Sequence, residues 1–404
     1  MTDTVEEHQA RVLAAVRPAD PVDVPLLDAL GLALAEDVHA GIDLPGFDNS
    51  AMDGYAVRRA DVADASEASP VVLPVVGQIG AGQADVRTLE AGAAVKIMTG
   101  APVPEGADAV VPYEWTDRGA ETVTIRQAPK PSQHVRPRGD DVTTGQLLLE
   151  AGAVVGPRQV GLLAQIGLAT VRARPRPRVV VLSTGSELRE PGAELGHDSI
   201  YDGNSFMLAA AVQRAGAVPV RVGIVGDEPG AFLTTLRAHL ADADLVVTSG
   251  GVSQGDYDVV KEALRAEGVW FGPVAMQPGK PQGFGLVDGV PVVTLPGNPV
   301  SSYISFEVFV LPAIRTLMGL APAARPMVTA RLTHGLTSPD GRRQFMRGDV
   351  GFDAQGRFVT PVGGPASHLV GALAHSNALI VVPEEVTALG QGDRVQVLQL
   401  DSVF

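Results

Sequence analysis

The sequence predicts a multidomain α/β plus β fold: a central three-layer α/β domain on a parallel sheet, an inserted small β domain and a C-terminal β barrel. Two observations support this prediction. Between residues 176 and 320, apolar strand-like segments alternate with helix-like segments, which is typical of a parallel sheet covered by helices on both faces. In residues 41–141 and 321–404, short β-prone segments are separated by Gly, Pro and Asp, as in small β domains.

Helix-like sequence flanks the first β-rich segment on both sides. Residues 4–16 combine Thr4, a good helix cap, with an apolar face, and a short helix is expected after Asp23 with Pro25 in its first turn. Residues 157–166 have a helical pattern that ends at a glycine. These flanks indicate that the β segment is inserted into a discontinuous domain. The expected domains are residues 1–40 with 142–175, residues 41–141, residues 176–320 and residues 321–404.

The central domain gives the clearest predictions of single elements. The expected strands are Arg178–Leu182, Val218–Ile224, Asp244–Thr248, Val269–Val274 and Val290–Leu295. The expected helices are Ser205–Ala215, Pro229–Leu240, Asp256–Ala266 and Pro299–Leu317. Ligands of open α/β sheets bind beyond the carboxyl ends of the strands, so the loops that follow these strands are candidate binding loops.

Composition excludes several classes of protein. The formal net charge of −15 disfavours binding to nucleic acids and anionic lipids. The absence of cysteine excludes disulfides, thiolate metal sites and a cysteine nucleophile. Residues 1–11 are acidic, unlike a secretory signal, and the apolar stretch Val160–Val171 is too short to span a bilayer. We therefore predict a cytoplasmic protein that binds neither nucleic acid nor membranes.

A glycine-rich loop, Ser249–Gly255, is the best candidate for a phosphate site. Glycine lets backbone N–H groups approach a phosphate closely, and the helix predicted to follow adds the positive end of its dipole. The loop is neither a Walker A motif nor a dinucleotide fingerprint. A simple turn after a strand is the alternative, and the residues alone leave both open.

Four carboxylates are expected near this loop: Glu187, Asp227, Asp256 and Asp258. Carboxylates beside a phosphate site suit a bridging hard cation such as Mg²⁺. Helix capping is the alternative for each of them, and it applies most directly to Asp227, which precedes Pro229.

Two further segments combine polar and charged residues at high density. Residues 47–56 hold Asp48, Asn49, Ser50 and Asp53 among aromatic and apolar side chains, and residues 136–141 combine two arginines with two aspartates. A loop held by local side-chain hydrogen bonds explains the first, and a solvated loop explains the second. The chemistry of these residues alone assigns no function to either segment.

Six motifs occur in order along the whole chain and resemble those of the MoeA family of molybdopterin molybdenumtransferases, which includes the E domain of gephyrin. They are Asp-Asn-Ser-Ala-Met-Asp-Gly-Tyr-Ala (48–56), Arg-Gly-Asp-Asp (138–141), Ser-Thr-Gly-Ser-Glu-Leu (183–188), Ser-Gly-Gly-Val-Ser-Gln-Gly (249–255), Pro-Gly-Lys-Pro (278–281) and Leu-Pro-Gly-Asn-Pro-Val-Ser (295–301). Such an ordered set is far more specific than any one motif.

The resemblance implies an elongated subunit of four domains and a homodimer. In that dimer the α/β domain of one subunit would meet the 41–140 domain of the other, so that the 48–55 and 136–141 loops close the site in trans. It also implies insertion of molybdenum from molybdate into adenylylated molybdopterin with release of AMP, and Mg²⁺ as cofactor. A sister adenylyltransferase and acceptor molybdoenzymes are possible partners.

The resemblance also implies roles for single residues. The residues expected to be catalytic are Asp53, Asp141, Glu187, Asp227, Asp258 and Lys280, with Glu187 and Asp258 as metal ligands and Asp256 as a rival to Asp258. The residues expected to bind the pterin phosphates and the nucleotide are Thr184, Gly185, Ser249, Gly250, Gly251, Ser253, Gly255, Pro296, Gly297 and Asn298. The residues expected to bind molybdate are Lys280, Ser301, Arg347 and Ser367.

One position departs from the family pattern, because Gln277 stands where many members have a second lysine. This removes a positive charge from the expected oxyanion site.

Two other functions remain open: a molybdopterin adenylyltransferase, which the extra β domains disfavour, and a non-catalytic molybdopterin-binding or scaffold protein.

Overall fold

The computed structural model describes residues 2–82, 88–226, 228–252 and 259–402, and the chain separates into two compact units. The larger unit comprises Met1–Val24, Ala29–Ala35 and Arg172–Phe404, and the smaller comprises Pro25–Asp28 and Glu36–Val171. The α-helices are α1 Val5–Ala15, α2 Pro157–Gln165, α3 Asn204–Arg214, α4 Pro229–Leu240, α5 Val259–Ala266, α6 Pro299–Ser305, α7 Leu311–Leu317 and α8 Val370–Ala374.

A mixed six-stranded sheet forms the centre of the larger unit. In spatial order its strands are Val218–Val225, Arg178–Thr184, Leu245–Ser249, Val290–Leu295, Pro281–Val287 and Trp270–Pro273. The first four run parallel, as predicted, and the last two pair antiparallel. The strand 281–287 was missed in the sequence. It joins 290–295 through a tight Asp288-Gly289 turn with both φ angles positive, the preferred two-residue hairpin turn.

The segment Pro299–Leu317 was predicted as one helix, and the structure interrupts it. A π-helical turn, Phe306–Val310, lies between α6 and α7. The whole segment is long and apolar enough to cross a membrane, unlike the shorter stretch 160–171. However, 89% of it is buried inside the protein. It is therefore placed as the core helix of a folded unit would be.

The C-terminal segment forms the predicted β barrel. Five strands close on themselves in the order Arg343–Asp353, Gly356–Pro361, Met327–Leu332, Arg394–Gln399 and Ala378–Val382, with the last pairing back to the first. Met276–Gln277 extends the sheet beside residues 343–344. Two further short strands, Leu336–Thr337 and Ala388–Leu389, pair with each other.

The smaller unit is built on a five-stranded sheet. Its order is Ala109–Pro112, Gly54–Val57, Ala94–Ile97, Val71–Ile79 and Thr122–Ile125. The buried strand 54–57 was missed, because the polar residues that precede it resemble a turn. A Cβ on Gly54 would lie 2.0 Å from the Val111 carbonyl oxygen, so the neighbouring strand requires glycine here. Short strand pairs join Val38–His39 to Leu147–Leu149 and Asn49–Ser50 to Val135–Arg136.

The N-terminal predictions have mixed outcomes. Helix α1 begins as predicted, with Thr4 and Glu7 forming a reciprocal capping box. The short helix expected after Asp23 is wrong, because Val22–Pro25 is a strand. Two valines alternating along these four residues favour the extended conformation over a helix. The remaining strands and short 3₁₀ helices are Thr170–Ala173, Leu188–Arg189, Ile200–Tyr201, Arg59–Val62 and Tyr113–Trp115.

His8 should make the stability of the larger unit depend on pH. It is fully buried between Trp270 and Phe309, and neither ring nitrogen has a hydrogen-bond partner in the described part of the chain. Burial, with a smaller effect from Arg11, lowers the pKa of His8 from 6.5 to about 3. Its contribution to stability is therefore complete above pH 6.5 and is lost as the pH falls toward 3. Between pH 7 and pH 5 the free energy of unfolding should fall by about 2 kcal/mol because of His8.

We expect His8→Phe to remove that part of the pH dependence, since phenylalanine keeps an aromatic ring in the pocket without a titrating group. The measurement is the difference in unfolding free energy between the two proteins at pH 7 and at pH 5. Equal losses of stability in both proteins would contradict the assignment.

Candidate functional site at the carboxyl edge of the central sheet

A cavity of about 1310 Å³ opens at the carboxyl edge of the central sheet. The strands 178–184 and 245–249 end at it, and the start of α3 forms part of its wall. The predicted loop residues Thr184, Gly185, Ser249, Gly250, Gly251, Gly297 and Asn298 all line it. Three of the candidate loops therefore meet at this edge, since the parallel strands bring their ends together.

Close backbone packing holds the three loops against one another. The Gly250 N–H donates to the Leu295 carbonyl over 3.1 Å, which fixes this loop beside the 296–298 loop. Gly250 has a φ of +92°, and a Cβ there would lie 2.7 Å from the Thr184 carbonyl oxygen. Glycine is thus required both by the backbone conformation and by the neighbouring loop.

Asn204, at the start of α3, joins two of these loops. Its side-chain amide donates to the Ser249 hydroxyl over 2.9 Å and to the Gly297 carbonyl over 2.6 Å. Ser249 Oγ also contacts the Pro296 carbonyl and Ser302 Oγ, at 3.4 and 3.3 Å. The Asn204 side chain therefore links the glycine loop to the 296–298 loop, in addition to the backbone hydrogen bond of Gly250.

The buried carboxylate of Asp202 fixes the start of α3. It accepts from Ser183 Oγ at 3.1 Å and from the backbone N–H and hydroxyl of Ser205 at 3.0 and 2.5 Å. Arg221 lies 3.9 Å away. With its oxygens engaged in this way, Asp202 orients α3 and its Asn204 rather than facing a ligand.

Glu187 is the predicted carboxylate that lies at the cavity. Its carboxylate turns back over Gly185, with oxygens 2.6–2.7 Å from the position that a Cβ on that glycine would take. In the described residues, no cluster of three or more His, Cys, Asp or Glu side chains could hold a metal ion. The predicted residues Asp227, Ser253, Gly255, Asp256 and Asp258 lie outside the described residues.

The far end of the cavity is more apolar and was not predicted. Met207, Leu373 and Leu400 line it together with Tyr303 and Arg214. Arg214 donates to the Leu400 carbonyl and forms an ion pair with Asp401 at 3.3 Å. Burial, with a further effect from Glu307, raises the pKa of Tyr303, so its hydroxyl stays protonated. The only sequence signal for this end was the apolar face of α3 and α6.

Comparison with known proteins agrees with this architecture. Three family models match in succession: "MoeA N-terminal region (domain I and II)" over residues 3–167, "Probable molybdopterin binding domain" over 180–316 and "MoeA C-terminal region (domain IV)" over 329–400. Molybdopterin molybdenumtransferase 2 of Mycobacterium tuberculosis (strain CDC 1551 / Oshkosh) is 50% identical, with 98% of this chain and 99% of that protein covered. The Haemophilus influenzae molybdopterin molybdenumtransferase is 37% identical, with 98% of each chain covered.

The chain belongs to the MoeA family. A solved structure described as a molybdopterin biosynthesis moeA protein from Pyrococcus horikoshii superposes over 100% of both chains, with 32% identity and a TM-score of 0.84. The resemblance drawn from the six motifs is confirmed, and so is the fold class. The three loops at the cavity fall within the segment 180–316 that matches "Probable molybdopterin binding domain", and residues 370–376 and 400–401 of the C-terminal segment also line the cavity.

The structure describes all four residues that the MoeA resemblance assigns to molybdate. Ser367 accepts from the Asn298 amide at 3.0 Å, and its carbonyl accepts from the Val300 N–H, next to Ser301. Lys280 instead lines a second, smaller cleft with α5.

Arg347 lies beneath the Ser367 loop. It is 4% exposed and donates to the carbonyls of Gly364 and Ala366, while its Nε is buried with no hydrogen-bond partner in the described residues. Burial lowers the pKa of Arg347. In this arrangement its guanidinium supports the loop that carries Ser367.

The two MoeA motif loops of the smaller unit contact each other. Residues 49–50 pair with 135–136, and the Arg138 N–H donates to the Asp48 carboxylate over 2.7 Å. Asp53 accepts from the backbone N–H and the hydroxyl of Thr99, at 2.7 and 2.8 Å, which lowers its pKa. Asp141 is exposed. Asp53 is therefore held ionised at the surface of this unit.

Proposed function

We infer that this protein inserts molybdenum from molybdate into adenylylated molybdopterin and releases AMP, the last common step in forming the molybdenum cofactor. The observation that carries the inference is the loop-lined cavity of about 1310 Å³ at the carboxyl edge of the sheet. It lies in a chain that matches curated molybdopterin molybdenumtransferases over nearly its full length. The cavity volume exceeds that of a typical site for one small ligand, which suits a substrate with two heterocycles and a pyrophosphate.

The glycine loops bind the substrate phosphates in this proposal. Gly250, Gly251 and Gly297 line the cavity, and the backbone N–H groups of Gly251 and Gly297 together with the Asn298 amide are the proposed donors to phosphate oxygens. Asn204 keeps the two loops at a fixed distance before substrate binds. Because these donors are already oriented, charge that develops on the phosphate during cleavage is stabilised without rearrangement of the loops.

Mg²⁺ is the proposed cofactor at this edge. Mg²⁺ usually binds through one or two carboxylates together with substrate phosphates and water. Glu187 offers one carboxylate at the cavity, and Asp258 is the second proposed ligand. When bound, the ion would offset the negative charge of the pyrophosphate.

The loops of the smaller unit contribute Asp53 and Asp141 in this proposal. As in the family resemblance, the protein acts as a homodimer in which these loops face the cavity of the partner subunit. The ionised state of Asp53 suits a role beside cationic or proton-donating groups. Acceptor molybdoenzymes and a sister adenylyltransferase are the proposed protein partners, and the proposed location is the cytoplasm.

Asp53→Ala is expected to lower the rate of AMP release by about 100-fold or more, a loss typical of a residue that acts on the reacting groups. The unfolding midpoint should stay within about 2 °C of wild type, because Asp53 is exposed. Asp64→Ala is the matched control, since it removes another exposed aspartate of the same unit. Equal AMP release by both variants would remove Asp53 from the site.

One pair of incubations separates this function from its rivals. A molybdenumtransferase consumes adenylylated molybdopterin when molybdate is present and makes none from molybdopterin and ATP. Formation of the adenylylated pterin from ATP would favour the adenylyltransferase. Tight pterin binding with no turnover in either incubation would favour a scaffold.

A further inference from the structure

Arg221 lies on the outermost strand of the central sheet, 218–225, at a β-bulge. The pairing with the neighbouring strand shifts between Arg221 and Gly223, so that Val222 is the extra residue. Gly223 has a φ of +89°, and a Cβ there would lie 3.0 Å from Glu190 Oε1. Bulges redirect side chains and are frequent beside active sites. The bulge and the glycine thus leave room for an ion pair between Arg221 and Glu190.

One arm of contacts, the α3 arm, runs from Arg221 to the start of α3. The guanidinium donates to Ser205 Oγ over 3.0 Å and lies over the Phe206 ring, 3.9 Å from its centroid. The Ser205 hydroxyl in turn donates to the buried carboxylate of Asp202 over 2.5 Å. Asn204, whose amide links the two cavity loops, stands between these two residues in the chain. The position of the Asn204 amide therefore depends on Arg221 through the first turn of α3.

A second arm of contacts, the Glu190 arm, runs from Arg221 to the segment that carries Glu187. Glu190 accepts from Arg221 with both carboxylate oxygens, at 3.1 and 2.8 Å, and this fork fixes direction as well as distance. These hydrogen bonds raise the pKa of Arg221, so the guanidinium stays charged. The Glu187 carbonyl also accepts from the Ile200 N–H over 2.9 Å. The backbone that carries the Glu187 carboxylate is thus held on both sides.

Arg221 is not among the described residues that line the cavity, so it reaches the cavity through these two arms. Its side chain is 26% exposed and that of Glu190 is 47% exposed. Ion pairs with this exposure contribute little to folding stability. A role in holding the cavity walls therefore explains better than stability why a bulge, a forked ion pair and a stacked ring converge on one side chain.

We propose that Arg221 is a positioning residue that fixes two groups at the cavity, the Asn204 amide and the Glu187 carboxylate, relative to each other. This rests on the proposed function, in which Asn204 holds the loops that bind the pterin phosphates and Glu187 binds Mg²⁺. Loss of the α3 arm should weaken pterin binding. Loss of the Glu190 arm should slow AMP release.

Three variants of the full-length protein separate the two arms. In Ser205→Ala, the Kd for adenylylated molybdopterin, measured by equilibrium dialysis in EDTA, should rise by about fivefold with an unchanged kcat, as expected for one lost hydrogen bond. In Glu190→Gln, kcat for AMP release should fall by about fivefold and the Mg²⁺ concentration for half-maximal rate should rise, with an unchanged Kd. Arg221→Met, which alters no buried group, should show both losses.

Arg237→Met is the matched control, because Arg237 is another arginine of the same domain that pairs with a glutamate, Glu267, at 2.9 Å. Its Kd and kcat should equal those of wild type. Arg221→Lys should recover part of both losses, since lysine keeps the charge but cannot form the fork with Glu190. The unfolding midpoint of Arg221→Met should stay within about 2 °C of wild type. A purely structural role would lower that midpoint and leave Kd and kcat unchanged.

Wild-type Kd and kcat in Arg221→Met would overturn the proposal. Equal losses of both values in Ser205→Ala and in Glu190→Gln would also overturn it, because they would show a general distortion rather than two separate arms. The wild-type protein distinguishes these outcomes from a failure of the proposed function. If it binds the pterin and releases no AMP, the proposed function is wrong, and the Kd values of Ser205→Ala and Arg221→Met still decide whether Arg221 positions Asn204.

Discussion

Gly250→Ala should reduce the rate of AMP release more than any other single substitution in the larger unit. The added Cβ would lie 2.7 Å from the Thr184 carbonyl oxygen, which is a backbone atom and not the end of a flexible side chain. The glycine loop must therefore move relative to residues 184–185, and its N–H groups lose their alignment with the phosphates. Loss of one preorganised donor of this kind lowers turnover by about 100- to 1000-fold.

Gly289→Ala is the matched control for that experiment. Its φ of +84° is close to the +92° of Gly250, so both variants carry a similar backbone strain of about 1 kcal/mol. A Cβ on Gly289 would meet no atom within 4 Å, and the hairpin turn lies away from the cavity lining. AMP release should therefore be near normal in Gly289→Ala. Similar activity in the two variants would contradict the assignment of the phosphate loop.

Asn204→Asp should weaken binding of adenylylated molybdopterin with little change in shape of the side chain. A carboxylate cannot donate to the Gly297 carbonyl, which lies 2.6 Å from the asparagine amide nitrogen. It also adds a negative charge where the phosphates bind. We expect KM for the pterin to rise by about 30-fold or more, from the lost hydrogen bond and the repulsion together.

Gln213→Glu provides the control, since it adds the same charge at an exposed position of the same helix. Its KM should stay within about twofold of wild type, because exposed charges are screened by salt. The molybdate concentration needed for half-maximal rate should be unchanged in Asn204→Asp. A rise in that concentration with an unchanged pterin KM would show that Asn204 acts on the oxyanion instead.

Much of the site could be predicted because its loops follow strands with a strong apolar pattern. Strands 178–184 and 245–249 are almost wholly buried, so their apolar runs are continuous and their ends are easily recognised. Thr184, Gly250 and Gly297 were therefore found from the chain alone, and they line one cavity. The family resemblance added residues that the pattern could not reach, such as Asp53 and Arg347.

What the sequence missed depends on the direction of side chains and on contacts distant along the chain. Asn204 precedes the predicted helix Ser205–Ala215 and was not singled out, although its amide bridges residues 249 and 297. Asp202 was missed for the same reason, since a carboxylate before a helix is usually a cap. That Lys280 lines a cleft together with α5 is likewise a contact between distant parts of the chain. The Asp288-Gly289 hairpin was a local signal that could have been recognised.

The most direct test of the account is AMP release from adenylylated molybdopterin by the purified full-length protein with Mg²⁺, measured with and without molybdate. Molybdenum bound to the pterin product is quantified in the same samples. The account predicts release that depends on molybdate and matches the molybdenum incorporated, one AMP for each metal atom. AMP release at the same rate without molybdate, or release with no molybdenum in the pterin, would contradict it.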